Sequence, residues 1–210
     1  MTDRLTDRPT DRLTGLGRPL DLRGHFDNRG LTPTSDLAAG AFNVWSNTFP
    51  AEQLPPEGSI VEIGGVLFEF PAGSERGDNL RCGGQLIELP PGRYDWLYLL
   101  AAAERRTEDL LYLHYTDGSV DPEWLRVSDF WPQTPDRFGA LAAFRCSTLH
   151  YPRHVQHGVD PVIWRHRVPV PRHAELAALR LPDNPAAHIF AITPVPADDA
   201  SLCCVEEVRR

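Results

Sequence analysis

Turn-forming residues recur so often in this chain that only short extended segments fit between most of them: 210 residues carry twenty prolines and sixteen glycines. Proline removes a backbone donor and glycine accepts positive φ, so their spread favours many short strands joined by tight turns over long helices. Residues 59–63 and 66–70 are alternating apolar runs around Gly64-Gly65, a two-residue hairpin signal. Further strands are predicted at 80–89, 94–100, 110–115, 124–129, 140–146, 162–170, 176–181 and 188–193. Asp117-Gly118 and the Pro-Pro-Gly at 90–92 punctuate them. About ten short strands at this spacing predict an all-β fold, a two-sheet antiparallel β-sandwich of jelly-roll type. The one helical competitor is 95–106, where an apolar run ends in Ala-Ala-Ala-Glu-Arg-Arg; it reads as a strand followed by a turn.

The length suits a single domain, placed at 19–196. The Thr-Asp-Arg repeat near the N-terminus is polar and has no apolar stretch, so 1–18 are expected to form a disordered tail and not a signal peptide; 197–210 are expected as a C-terminal tail. No window is apolar enough for a transmembrane helix, and Cys82, Cys146, Cys203 and Cys204 are expected as free thiols in a cytoplasmic protein.

A formal net charge of -8 argues against a nucleic-acid partner, and nothing implies a membrane partner. Every one of the 21 basic residues is arginine. Without lysine there is no Schiff base and no P-loop, so pyridoxal enzymes, lysine aldolases and P-loop nucleotidases are excluded. Arginine binds oxyanions through its planar fork but stays protonated, so proton transfer falls to His, Asp, Glu, Tyr or Cys. No cofactor motif is present, and no cofactor is expected.

Several short successions carry a family likeness. Phe26-Asp27-Asn28-Arg29-Gly30, Phe49-Pro50-Ala51-Glu52, Asp78-Asn79, Asp129-Phe130-Trp131 and Leu181-Pro182-Asp183-Asn184-Pro185 followed by His188-Ile189-Phe190-Ala191 together resemble the galactose-binding-like jelly rolls of actinobacterial glycoside hydrolases, over roughly 20–195. That resemblance implies the sandwich and sugar-binding loops at a sheet edge. The chain is expected to depart from it in lacking an export signal and a catalytic partner domain, and it carries Phe42-Asn43-Val44-Trp45-Ser46-Asn47 where those modules have a small Gly- and Asp-rich segment.

Two stretches are candidates for function. In 145–173, Arg145, Arg153, Arg165, Arg167 and Arg172 face a single acid, Asp160, and five of the eight histidines join them. This is a plausible anion site, although solvated charges would look the same. Strand alternation over 162–170 leaves open whether the Trp164 and His166 face or the Ile163 and Arg165 face points inward. His150, His154 and His157 invite a metal reading, which Pro152 and the lack of a completing ligand disfavour; no metal is expected. In 43–52, Trp45, Asn43, Ser46, Asn47 and Glu52 suit the lining of a small polar-ligand pocket, or equally a sandwich edge with turn asparagines.

Two functions remain open. In one, a cofactor-independent enzyme of specialised metabolism acts on a small anionic substrate, expelling an oxyanion such as sulfate by intramolecular displacement. It would be similar to the cyclases that close an aziridine ring in azinomycin-type antibiotic pathways. Glu52 or Asp78 would then be the base, His150 an acid/base alternative, Arg81, Arg145 and Arg165 the oxyanion clamp, and Trp45 and Trp164 the walls that fold the substrate. In the other, a non-catalytic module binds a neutral sugar through Trp45, Asn43, Asn79 and Gln85. A biosynthetic partner enzyme or a homodimer is a further expectation.

Overall fold

The computed structural model describes residues 15–131 and 138–197. Among them are fifteen strands, two one-turn 3-10 helices (Leu37–Ala39 and Ala51–Gln53) and no α-helix. The strands are β1 (Leu31–Thr32), β2 (Phe49–Pro50), β3 (Ile60–Ile63), β4 (Val66–Glu69), β5 (Leu80–Arg81), β6 (Leu86–Gly92), β7 (Tyr94–Ala103), β8 (Thr107–Tyr115), β9 (Val120–Val127), β10 (Leu141–Arg145), β11 (Thr148–Tyr151), β12 (His154–His157), β13 (Val162–Pro169), β14 (Leu176–Arg180) and β15 (Ala187–Pro196).

A five-stranded antiparallel sheet, ordered β10-β13-β7-β15-β5, faces a four-stranded antiparallel sheet, ordered β6-β14-β8-β9. This is the expected antiparallel β-sandwich. Three two-stranded ribbons, β1-β2, β3-β4 and β11-β12, lie outside both sheets. The larger sheet is thereby covered twice. Leu97, Leu99, Ala101 and Ala103 of β7 join Leu111, Leu113, Leu125 and Leu179 in one core. Tyr98, Leu100 and Ala102 join Phe42, Phe49, Phe68 and Phe190 in a second core.

Burial on both faces explains the run Leu-Tyr-Leu-Leu-Ala-Ala-Ala. A strand with apolar neighbours above and below loses its alternation, and such a run resembles a buried helix. The strand reading holds to Ala103. β15 is likewise buried along nearly all its length, with a bulge between Ile189 and Ala191 that adds Phe190 to the second core.

Several local expectations are revised. The 80–89 run is two strands in different sheets, split at Gly83-Gly84, where Gly84 has φ +76. Pro90-Pro91-Gly92 ends β6, and Gly92 still pairs with Leu176. The pairs β1-β2 and β11-β12 are too short to show a period in sequence. Of the segment expected as an N-terminal tail, 15–18 are described, and Leu16 pairs with β4 through Leu16 N–H to Gly65 O (2.7 Å). Residues 1–14 and 198–210, including the Cys203-Cys204 pair, lie outside the described residues.

Alternation in β13 has an unanticipated outcome, because both faces are inward at its start. Val162, Ile163 and Trp164 are all buried, His166 is buried with its Nε2 accepting from Ser128 N–H (3.3 Å), and Arg167 is exposed over the Trp96 ring.

The loop before β5 is fixed by one glycine. Gly77 has φ +130, and a Cβ there would stand 2.0 Å from the Asn28 carbonyl oxygen, which receives the Asp78 and Asn79 amides. Gly77→Ala is expected to cost on the order of 3 kcal/mol through backbone strain and overlap. Chemical denaturation checks this, and an unchanged midpoint would contradict it.

Candidate functional site

Along β7, buried on both faces from Leu97 to Ala103, a charged group can occur only where the strand leaves the cores. β7 leaves at Glu104, whose amide donates to Ala186 O (2.8 Å). Across the sheet His188 lies opposite both Ala102 of β7 and Arg81 of β5, so three polar side chains meet at this end. Glu104 Oε1 is 3.4 Å from Arg81 Nη2 and 3.7 Å from His188 Nε2.

The loop between Phe42 and Thr48 folds over them. Asn43 organises it: Oδ1 accepts the Trp45 and Asn47 amides (3.1 Å each), and Nδ2 donates to Asn47 Oδ1 (3.0 Å). Ser46 within it has φ 55, the one positive value outside glycine among the described residues. Such strain gathers at ligand-binding segments. Phe42 stacks on the His188 ring with centroids 4.0 Å apart. The opposite wall is set by Phe130 N–H to Ala103 O (3.0 Å), Trp131 N–H to Asp129 Oδ1 (2.8 Å) and the Trp164 indole N–H to Asp129 O (2.9 Å). Thr48 and His150 pair through both amides and carbonyls, which brings Tyr151 of β11 to the rim.

The result is an open pocket of about 490 Å³ lined by Trp45, Asn47, Glu104, Arg105, Phe130, Trp131 and Tyr151. Two buried polar atoms here have no hydrogen-bond partner among the described residues, Asn47 Nδ2 and His188 Nε2. Burial raises the Glu104 carboxyl, but the His188 ring when protonated, Arg81 and the Val44 amide together outweigh it, so Glu104 lies below the usual carboxylate range. Burial lowers His188 against the opposing pull of Glu104. The pocket therefore offers an ionised carboxylate and an exposed guanidinium at Arg105 among four aromatic rings, with the buried, unpaired Asn47 Nδ2 in its wall.

The anticipated residues divide into those at this pocket and those away from it. Trp45 lines it, Asn43 holds the loop, Arg81 contacts Glu104, and Asn79 lies behind His188 with Oδ1 2.8 Å from Nδ1. Trp164 supports a wall without facing the cavity. Asp78 is 4 % exposed, and its oxygens accept from Gly30 N–H (2.8 Å), Leu31 N–H (3.1 Å) and Asn79 Nδ2 (2.8 Å), so it is occupied in holding the loop. Glu52 accepts the Thr34 amide at 2.5 Å. His150 is buried, with Nδ1 3.1 Å from Thr32 Oγ1, while His154 and His157 are exposed on the neighbouring strand. Arg165 donates to Gly64 O (2.8 Å) over the Tyr98 ring. It pairs with Leu100, four residues before Glu104 and so about 13 Å along the strand. Arg145 is exposed at the end of β10 and does not line the pocket. The structure thus does not gather Arg81, Arg145 and Arg165 into one clamp.

Sequence reasoning overlooked Glu104, Arg105, Tyr151 and His188 as site residues. Its available signal was Glu-Arg directly after three alanines at the end of an otherwise apolar strand.

Burial pushes the Asp78 carboxyl up to about 6 against its three hydrogen bonds. The fold then holds the proton more tightly than the unfolded chain does. The stability linked to that proton is fullest below the unfolded pKa and is lost as pH rises through about 6. Asp78→Ala should abolish this slope, and at neutral pH should cost about 2 kcal/mol by orphaning buried amides. Denaturant unfolding between acid and neutral pH measures both; an unaltered slope would contradict the assignment.

No curated protein matches this chain. Residues 16–198 match the family model of the AziU2-like beta-sandwich domain, and the chain belongs to that family.

Proposed function

We propose that the protein is a cofactor-independent biosynthetic enzyme that expels an oxyanion from a small anionic substrate by intramolecular displacement, with aziridine closure by loss of sulfate as the specific case. Family membership is in keeping with the resemblance to azinomycin-type pathways. The observation that carries the reading is the convergence of Glu104, Arg105 and the unpaired Asn47 Nδ2 in one aromatic-lined pocket.

In this reading Glu104, rather than Glu52, Asp78 or His150, is the base. As the substrate amine attacks the carbon bearing the sulfate ester, the N–C bond forms, the C–O bond breaks, and sulfate leaves with its electron pair. The ammonium proton passes to Glu104. Arg105 and Asn47 Nδ2 hold the charge that grows on the leaving oxygen. Trp45, Trp131 and Tyr151 hold the substrate folded, and proximity lowers the barrier of a step that is unimolecular once the substrate is bound. Glu104→Gln and Arg105→Ala should each lower kcat by about 100-fold or more with little change in melting temperature. Sulfate release from an amino-alkyl sulfate ester is the assay. Full turnover in both variants would sink the reading. Saturable binding of a neutral saccharide, insensitive to Arg105 and without turnover, would favour the sugar module.

A second reading, an accessory subunit of a biosynthetic partner enzyme, is favoured by the outer face of the four-stranded sheet. Leu86, Leu110, Tyr112, Val120 and Trp124 are each 39–49 % exposed there. Register sets Leu110 opposite Trp124, and Arg180 between Leu86 and Tyr112, so exposed apolar side chains of β6, β8 and β9 flank one arginine on β14. Exposed apolar patches rimmed by polar residues mark protein interfaces. Trp124→Arg should abolish co-elution with the partner enzyme while leaving the fold intact; turnover by the isolated chain at the full rate would contradict this reading.

A further inference from the structure

Behind Glu104 runs a chain of buried polar groups that the displacement step does not use. It begins at Asp78, whose carboxylate is fixed by the Gly30 and Leu31 amides and receives Asn79 Nδ2. Asn79 Nδ2 also points to Asn28 O (3.2 Å). Both acceptors of that nitrogen fix the orientation of the amide, so Oδ1 is the atom 2.8 Å from His188 Nδ1. An amide oxygen only accepts, and Nδ1 must carry the hydrogen. The neutral ring then has a bare lone pair on Nε2.

That lone pair is wholly buried, has no hydrogen-bond partner, and lies 3.7 Å from Glu104 Oε1. Phe42 stacked on the ring prevents it from turning to find another partner. Two acceptors therefore face each other, Nε2 wholly buried and Glu104 in the pocket wall, an arrangement that can hold one proton between them. The charged groups acting on the ring are Glu104 and Asp27, which favour its protonation, and Arg81, which opposes it.

We propose that His188 is a positioning residue that makes Glu104 half of a one-proton dyad, with Asn79 and Asp78 fixing the tautomer that leaves Nε2 open. The proposal rests on Glu104 being the base. As the substrate N–H bond breaks, an O–H bond forms on Glu104. The proton then passes to Nε2, which becomes imidazolium and restores the carboxylate, and it returns to water through the pocket after product leaves. Burial disfavours the charged ring before the reaction, and the proton taken from the substrate is the one the pair then shares.

The test has two parts. In protein labelled with ¹⁵N-histidine, the His188 ring, assigned by its loss in His188→Gln, should show protonated Nδ1 and bare Nε2 at neutral pH. On acidification it should gain a proton at Nε2, at a pH that moves in Glu104→Gln. A ring with Nε2–H at neutral pH, or a titration indifferent to Glu104, overturns the dyad. In the sulfate-release assay, His188→Gln removes the acceptor that shares the proton, and the acid limb of the kcat/KM profile should shift by at least half a pH unit, on the order of a threefold change in the protonation constant. Lower activity with an unmoved acid limb would overturn the positioning role and leave only a structural one. The ring signals are read without substrate, so the expected tautomer and titration alongside no turnover would sink the ring-closure reading while the dyad stands.

Discussion

Burial of one sheet on both faces is the constraint on which the rest depends. Along β7 and β15 nearly every side chain meets a hydrophobic core, so β7 can carry an ionised group only where it runs out of cover. Glu104 is the first residue past that point on β7, and His188 is the second residue of β15. The register that pairs Ala102 with His188, and His188 with Arg81, brings these groups together. The site follows from where the cores end.

A second layer of polar structure holds this end in place. Asp78 gathers two backbone amides and the Asn79 side chain, Asn79 orients His188, and Phe42 covers the ring. On the other side Asn43 organises the strained turn that presents Trp45 and Asn47. Groups that looked in sequence like donors to a ligand are in part the supports of the pocket. Arg165 is another example, since its guanidinium secures the Gly64-Gly65 hairpin turn.

What was legible in sequence follows from this layout. Strands with one wet face, such as β8 and β9, announced themselves by alternation, and the Gly64-Gly65 hairpin by its turn. β1, β2 and the β11-β12 ribbon have two to four residues each and no readable period. Trp45 was legible because a tryptophan among Asn43, Ser46 and Asn47 pairs an aromatic face with neutral polar groups. Glu104 was not, because Glu-Arg-Arg after three alanines reads as an ordinary strand end, and its partners are 23 residues back at Arg81 and 84 ahead at His188. The arginine-rich segment at 145–173 drew attention by charge density, yet its members spread over several edges and turns. Local density is visible in a sequence; convergence across a sheet is not.

In the proposed reaction the oxyanion sits between Arg105 and Asn47 Nδ2, in front of Glu104. A crystal of Glu104→Gln protein soaked with an amino-alkyl sulfate ester tests it most directly. Sulfate oxygens are expected within hydrogen-bond distance of Asn47 Nδ2 and the Arg105 guanidinium, with the amine turned towards residue 104. Sulfate density at Arg145 or Arg153 with this pocket empty would contradict it.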